Sequence, residues 1–256
     1  MQPARELMER VRGGDVVVGI LATDHLWPDL VEISARSGLD YLIIDLEHGP
    51  HGPEAVAEAC AIGRRMGFPV FIRPRTNDYA TLRHAIDLGC CGFLLASIES
   101  TADLDVVRDA LRMPPRGKRR PGGLGNRWVD SYHADAWRSE VEDNFIVLPQ
   151  IETRVGLKHA AEIARHEITT CLAVGPYDLS AELGVCGDMQ SPILKEELAG
   201  LQRTAAIIGK PMWMIGPRGD DLVREGWRFI CIGEPTWIMA SALRHKAEEA
   251  RAAAPG

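Results

Sequence analysis

Lysine is scarce in this chain: five occur in 256 residues, Lys118, Lys158, Lys195, Lys210 and Lys246. One falls in a Pro/Gly-rich loop, three in helical patterns and Lys210 just ahead of an apolar run, so none stands inside a strand-like run or at its C-terminal end. Imine chemistry needs a desolvated lysine in the pocket, and this distribution excludes one as electron sink. Long apolar runs are also missing. Nothing approaches the ~20 residues that span a bilayer, so no membrane segment is expected. The opening MQPARELMERVRGG mixes charges and lacks an apolar stretch, which argues against a secretory signal. Six cysteines, at 60, 90, 91, 171, 186 and 231, form no CxxC pair. Most lie in apolar periodic segments, as buried free thiols in a reducing cytoplasm would. A net charge of −7 argues against nucleic acid or an anionic membrane as partner. There is no G-x-S-x-G elbow and no Walker loop. Gly122-Gly123-Leu124-Gly125 does not join a strand to a helix, so it is no dinucleotide fingerprint.

What is present is alternation. Strand-like runs recur at Val16–Leu21, Tyr41–Glu47, Pro69–Pro74, Phe93–Ile98, Phe145–Glu152, Cys171–Gly175, Pro211–Gly216 and Phe229–Gly233. Helical patterns separate them at Asp29–Ser37, Glu54–Met66, Tyr79–Leu88, Ala102–Leu111, Arg154–His166, Ile193–Ile208, Asp220–Glu225 and Thr236–Ala252. Eight such units predict an α/β protein with a closed parallel sheet, a single-domain (β/α)8 TIM barrel over residues 1–256. Gly38, Gly89 and Gly226 each stand just past a helix and ahead of a strand, where a left-handed residue closes the helix. The segment Pro114–Asp130 reads as a long loop. Its cluster Arg116-Gly117-Lys118-Arg119-Arg120 is expected to be solvated rather than to bind phosphate.

Polar residues end four of the apolar runs. Asp45 and His48 close YLIIDLEHGP, Arg73 closes PVFIRP, Glu152 closes FIVLPQIE, and Asp178 follows LAVGPYD. Alternate barrel residues face the lumen, so Asp45 with Glu47, and Gln150 with Glu152, fall on one side at the catalytic rim. Glu152 and Asp178 offer oxygen only, suiting a hard cation such as Mg²⁺ or Mn²⁺. Asp45 stands where it could orient the His48 imidazole as a general base, and Arg73 where it could stabilise an enolate oxygen. Leu179–Leu183 is expected as a short helix whose N-terminal amides could bind a carboxylate. Plainer roles fit the same positions: Glu152 or Asp178 as helix caps, His48 as a loop residue, and Arg73 as the ion-pair partner of Asp45 or Glu47.

Together Ile44-Asp45-Leu46-Glu47-His48-Gly49-Pro50, Val70-Phe71-Ile72-Arg73-Pro74 with Asn77-Asp78, Gln150-Ile151-Glu152-Thr153 and Gly175-Pro176-Tyr177-Asp178-Leu179-Ser180-Ala181 carry a resemblance. The chain resembles the HpcH/HpaI-type metal-dependent (class II) pyruvate aldolases of the phosphoenolpyruvate/pyruvate barrel superfamily, from Val18-Gly19 to the C-terminal helix. The resemblance implies a lyase that reversibly cleaves a 4-hydroxy-2-oxo acid to pyruvate and an aldehyde through a pyruvate enolate. It implies Glu152 and Asp178 as ligands of a divalent cation (Mg²⁺, Mn²⁺ or Co²⁺). Gln150 and Arg73 would contact pyruvate, the amides of Gly175 and Tyr177 its carboxylate, and Asp45 and His48 would handle protons. It further implies a homo-oligomer, a hexamer, with the last helix packed on a neighbouring subunit. The chain departs from the family pattern at Ala96, where a proline is usual, in the basic loop 116–120, and at Gly233-Glu234-Pro235, where an Asp is common. These departures bear on the aldehyde. Two rival functions remain at this point. A citrate- or CoA-ester-forming or -cleaving lyase on the same barrel would turn over acyl-CoA or citrate. A non-catalytic keto-acid-binding barrel would bind pyruvate without exchanging its methyl protons.

Overall fold

The computed structural model describes residues 1–131 and 133–253. Its strands are β1 (Val17–Ala22), β2 (Tyr41–Asp45), β3 (Val70–Arg73), β4 (Gly92–Leu95), β5 (Ile146–Ile151), β6 (Leu172–Val174), β7 (Met212–Ile215) and β8 (Phe229–Cys231). They pair in parallel in sequence order, and β8 closes onto β1. The (β/α)8 barrel expected from the sequence is therefore present, with strand ends shifted by a few residues. Glu47 and Glu152, read as strand residues, lie just past β2 and β5.

The helices are α1 (Gln2–Gly13), α2 (Leu30–Arg36), α3 (Pro53–Met66), α4 (Tyr79–Asp87), α5 (Thr101–Leu111), α6 (Ala134–Trp137), α7 (Arg154–Arg165), α8 (Pro176–Glu182), α9 (Pro192–Ile208), α10 (Gly219–Arg224) and α11 (Pro235–Ala252). Gly38, Gly89 and Gly226 take φ of 81°, 99° and 93°, as the helix-to-strand joints require. Helix α1 is an addition to the sequence reading. Its buried residues Ala4, Leu7, Met8 and Val11 follow the i, i+3, i+4, i+7 spacing of one helix face.

Strands β2, β3 and β4 are buried at every position, because helices cover one side and lumen side chains fill the other. Tyr41 fills the lumen. It stacks on Phe71 at 5.5 Å and meets Phe229 edge-on at 5.0 Å. Its hydroxyl donates to the Ile230 carbonyl (2.7 Å) and accepts from Trp213 Nε1 (2.8 Å). Gly19 makes room for it, since a Cβ there would lie 2.4 Å from the ring. The barrel is thus plugged below its C-terminal rim, and the rim loops enclose what space remains.

The basic cluster after α5 is solvated at Lys118 and Arg120, as expected, but Arg119 corrects the sequence reading. Arg119 is fully buried, donates to Asp87 (2.8 Å) and lies 4.7 Å over the Trp137 ring. Arg116 pairs with Glu142, and Lys118 with Asp109. A 3-10 turn at Leu124–Trp128 packs on α4. Three cations of the basic cluster are spent on structure, so it is no open phosphate patch. Five cysteines are buried and free, whereas Cys186 is exposed.

Candidate active site

The four polar strand ends converge on a cavity of about 390 Å³ at the C-terminal rim, lined among others by His48, Arg73, Gln150, Gly175, Tyr177 and Asp178. Register brings the first pair together: Asp45 on β2 sits beside Arg73 on β3. Arg73 Nε donates to Asp45 Oδ1 at 2.8 Å and Nη2 to Oδ2, the two-pronged geometry that makes Arg–carboxylate pairs strong. Arg73 Nε also lies 3.3 Å from Glu47 Oε2. Thr23 donates its hydroxyl to Asp45 Oδ2 at 2.8 Å. Burial raises the Asp45 carboxyl, but the Arg73 guanidinium, the Thr23 hydroxyl and the His48 N–H outweigh it and hold it below its ordinary range.

Asp45 therefore does not hold the His48 ring. Its Oδ1 accepts from the main-chain N–H groups of Glu47 (3.0 Å) and His48 (3.3 Å), because the chain turns immediately after β2. The His48 side chain is 64% exposed, with Nε2 3.9 Å from Glu47 Oε2. The expected Asp45–His48 dyad is corrected to a backbone anchor, and the carboxylate nearest the imidazole is Glu47.

Glu152 is 4% exposed. Its Oε1 accepts from the Ser97 N–H (2.6 Å) and hydroxyl (2.9 Å), and its Oε2 from Gln150 Nε2. Burial, with repulsion from Asp178 and Glu47, pushes Glu152 above its ordinary value despite the Ser97 bonds. Ser97 has φ 54°, the one non-glycine residue with positive φ among the described residues. Such backbone costs about 1–3 kcal/mol, and here it turns two donors onto one carboxylate oxygen. Gln150 Oε1 is buried without a hydrogen-bond partner among the described residues. Gly175 keeps this corner open: a Cβ would lie 2.2 Å from Glu152 Oε2 and 2.3 Å from Gln150 Nε2.

Helix α8 starts at Pro176, earlier than the expected Leu179, which places Asp178 in its first turn. The Gly175 amide, expected to meet a substrate carboxylate, instead extends the sheet by donating to the Ile151 carbonyl at 3.2 Å. The Leu179 N–H makes the bond back to Gly175, so the Tyr177 amide precedes the first helical hydrogen bond. Glu152 and Asp178 appear in no ion pair with Lys, Arg or His among the described residues. No group of three or more His, Cys, Asp or Glu gathers as a metal nest there either. Two mutually repelling carboxylates at adjacent strand ends suit one hard divalent cation completed by water or substrate oxygen.

The residues matched by the family model decide the assignment. Residues 25–206 match the HpcH/HpaI aldolase/citrate lyase model. The chain belongs to the HpcH/HpaI aldolase/citrate lyase family. It is 31% identical over 249 residues to a 4-hydroxy-2-oxovalerate aldolase of Novosphingobium aromaticivorans, covering 93% of this chain and 91% of that one. In structure it is similar to an HpcH/HpaI aldolase of Desulfitobacterium hafniense, with a TM-score of 0.86 at 24% identity and 98% of each chain covered. The citrate lyase β subunit of M. tuberculosis, solved with oxaloacetate and magnesium, shares the fold more distantly. Its TM-score is 0.55 at 18% identity, over 87% of this chain and 93% of that one. The chain is thus a member of an enzyme family of lyases.

The sequence reading gave no site role to Thr23, Asp24, Ser97 or Trp237, and named Glu234 only as a departure from the family pattern. Of these, Asp24, Glu234 and Trp237 share the cavity wall with Thr23, while Ser97 holds Glu152 from behind. For the four cavity residues the signal was position: they follow the ends of β1 and β8, which carry no charged residue of their own.

Proposed function

We propose that the protein is a class II aldolase that reversibly cleaves a 4-hydroxy-2-oxo acid to pyruvate and an aldehyde. The observation that carries this reading is the convergence of Arg73, Gln150, Tyr177 and Asp178 on one rim cavity, with Glu152 bonded to Gln150 beside it and neither carboxylate paired to a cationic side chain among the described residues. Glu152 and Asp178 would hold a divalent cation, Mg²⁺, Mn²⁺ or Co²⁺, which supplies Lewis-acid polarisation of the keto group when bound. Gln150 and the Tyr177 N–H orient the pyruvate half. His48, open to solvent, takes the proton of the 4-hydroxyl. As the C3–C4 bond breaks, its electron pair passes into the pyruvate half to give the enolate, and the aldehyde carbonyl forms. Arg73 presents a fixed positive charge to the enolate oxygen, held in place by Asp45. Protonation at C3 releases pyruvate. Glu47, beside the imidazole, stabilises the imidazolium between these proton transfers.

A metal-supplemented assay of pyruvate release across a panel of 4-hydroxy-2-oxo acids tests the reading. Turnover of at least one is expected, and binding of pyruvate with no methyl-proton exchange would overturn it. Ser97 offers a finer test. Ser97→Ala keeps the main-chain donor but removes the hydroxyl from Glu152, and loss of an orienting partner typically weakens metal binding about 10–100-fold. Calorimetric titration with Mn²⁺ should show weakening toward the low end of that range, with the fold unchanged by circular dichroism.

The C-terminal helix supports an assembly. In α11 only Pro235 is buried, and Trp237 and Leu243 are 71% and 64% exposed. Apolar groups gathered on one long exposed helix mark an interaction surface. The protein is a homo-oligomer, a hexamer, in which α11 packs on a neighbouring subunit. Light scattering at micromolar concentration should give a multiple of 28.1 kDa, and a monomer would contradict it. No helix among the described residues is long and apolar enough to cross a membrane, and the buried free thiols support a cytoplasmic location.

A further inference from the structure

We propose that the acceptor half of the cavity selects an uncharged hydroxyaldehyde and rejects aldehydes that carry a carboxylate, through Asp24 and Glu234. The inference rests on the aldol-cleavage reading above and names the chemistry of its second product.

Topology separates the two halves. In the ring of eight strands, β8 and β1 are neighbours and stand across the barrel from β4 and β5. The ends of β5 and β6 carry Gln150, Glu152 and Asp178, the pyruvate half. The loops after β1 and β8 carry Asp24 and Glu234, so these face the substrate from the other side of the same cavity. They act as one unit. The Thr236 hydroxyl lies within hydrogen-bond distance of Glu234 Oε2 and 3.3 Å from Asp24 Oδ2, and Trp237 Nε1 donates to Asp24 Oδ2 at 3.1 Å.

Neither acid is neutralised by a Lys, Arg or His among the described residues. Glu234 is 7% exposed; its Oε2 caps α11 by accepting from the N–H groups of Thr236 (2.6 Å) and Trp237 (3.1 Å). Its Oε1 is buried with no hydrogen-bond partner among the described residues. A buried carboxylate without a counter-cation projects its charge through a medium of low polarity, and exposed Asp24 adds to it. The rest of this wall is Leu21, Ile215, Gly216 and Pro217, which brings no positive charge. The two cationic or basic groups of the cavity come from β3 and the β2 loop: Arg73, which is held by Asp45, and His48. An aldehyde with a distal carboxylate would place like charges together with no cation from the β1, β7 or β8 loops lining this wall to offset them, the repulsive element from which specificity is built. A hydroxyl instead donates to Asp24. A cavity of about 390 Å³ lies near the small end of ligand sites, which favours a short acceptor beside pyruvate.

The test is aldol addition to pyruvate with Mg²⁺ by the wild-type enzyme, comparing size-matched acceptors: glycolaldehyde against glyoxylate, and glyceraldehyde against malonic semialdehyde. The hydroxyaldehyde of each pair should have the higher kcat/KM, by on the order of tenfold or more. Asp24→Asn and Glu234→Gln, which keep the shape and an acceptor oxygen for the cap, should each narrow that ratio by raising kcat/KM for the carboxylated partner. Preference of the wild type for the carboxylated aldehydes, or a ratio that neither variant moves, overturns the inference. If Glu234→Gln does not fold, Asp24→Asn decides it. Exchange of pyruvate methyl protons by the wild type, measured without aldehyde, separates the two levels. Exchange with an unmoved ratio overturns the specificity alone, and absence of exchange overturns the aldolase reading together with it.

Discussion

Exhaustive chelation is expected to abolish turnover, and Mg²⁺, Mn²⁺ or Co²⁺ to restore it. Glu152 and Asp178 stand at neighbouring strand ends with no Lys, Arg or His paired to either among the described residues, and their repulsion adds to burial in pushing Glu152 above its ordinary value. Proton and metal therefore compete for the same carboxylate. For an acid whose folded value is raised, the proton's contribution to stability is fully present below the unfolded value, near 4.3. It is lost as pH rises through the folded value. Metal affinity should run the opposite way: strong at neutral pH, it should fall as pH drops through the raised Glu152 value, with proton release on binding. The metal should also stabilise the fold, by about 2.7 kcal/mol at a concentration 100 times Kd, seen as a rise in Tm that EDTA reverses. Full activity in metal-free enzyme would sink the class II reading. Trapping of substrate by borohydride would sink it independently, since that requires a lysine imine.

The contrast between fold and site shows which physics a sequence displays. All eight strands were legible because their residues are apolar on both faces and bounded by glycine-closed helices, local signals that tertiary structure had no cause to override. The N-terminal helix α1 carried the same kind of signal at Ala4, Leu7, Met8 and Val11, yet it stands ahead of β1 and outside the eight strand–helix units. Arg73 and Asp45 were legible as polar intrusions at apolar strand ends. Their mutual pairing was not, because it depends on the β2–β3 register. The His48 geometry failed for a related reason. Spacing of three residues suggests contact between side chains, yet the turn after Asp45 presents the main-chain N–H of His48 first. Arg119 shows the opposite error. A run of basic residues reads as solvated, and only the packing of Asp87 and Trp137 around it reveals a buried cation. Ser97 was invisible in principle, since its part depends on a positive φ that no local sequence signal announces.

His48→Ala and Arg73→Ala are expected to fail in different ways. His48 is exposed and makes no buried contact, so its removal should leave stability, metal affinity and substrate affinity nearly unchanged. Cleavage should fall by the amount that a positioned base contributes, about 10²–10⁴-fold. Glu47→Gln should give a smaller loss, since it withdraws only the charge beside the imidazolium. Asp45→Asn, by contrast, should behave like an Arg73 variant, because its carboxylate meets the guanidinium and not the imidazole ring. Arg73→Ala strips a buried carboxylate of its counter-charge, and breaking a buried pair costs about 3–5 kcal/mol, so its Tm should drop. Arg73→Lys keeps a charge near Asp45 but loses the fork, and serves where Arg73→Ala fails to fold. Loss of a preorganised electrostatic donor costs about 10²–10³-fold, and for Arg73 both cleavage and pyruvate methyl-proton exchange should show it, because each passes through the enolate. A stability corollary carries a sign. Asp45 is held below its ordinary value, so its contribution is present above the unfolded value, near 3.9. It is lost as pH falls through the folded one, and Asp45→Asn should flatten that acid limb. Wild-type cleavage by His48→Ala would return His48 to a loop residue. Normal proton exchange in an Arg73 variant would leave Arg73 only as the counter-ion of Asp45.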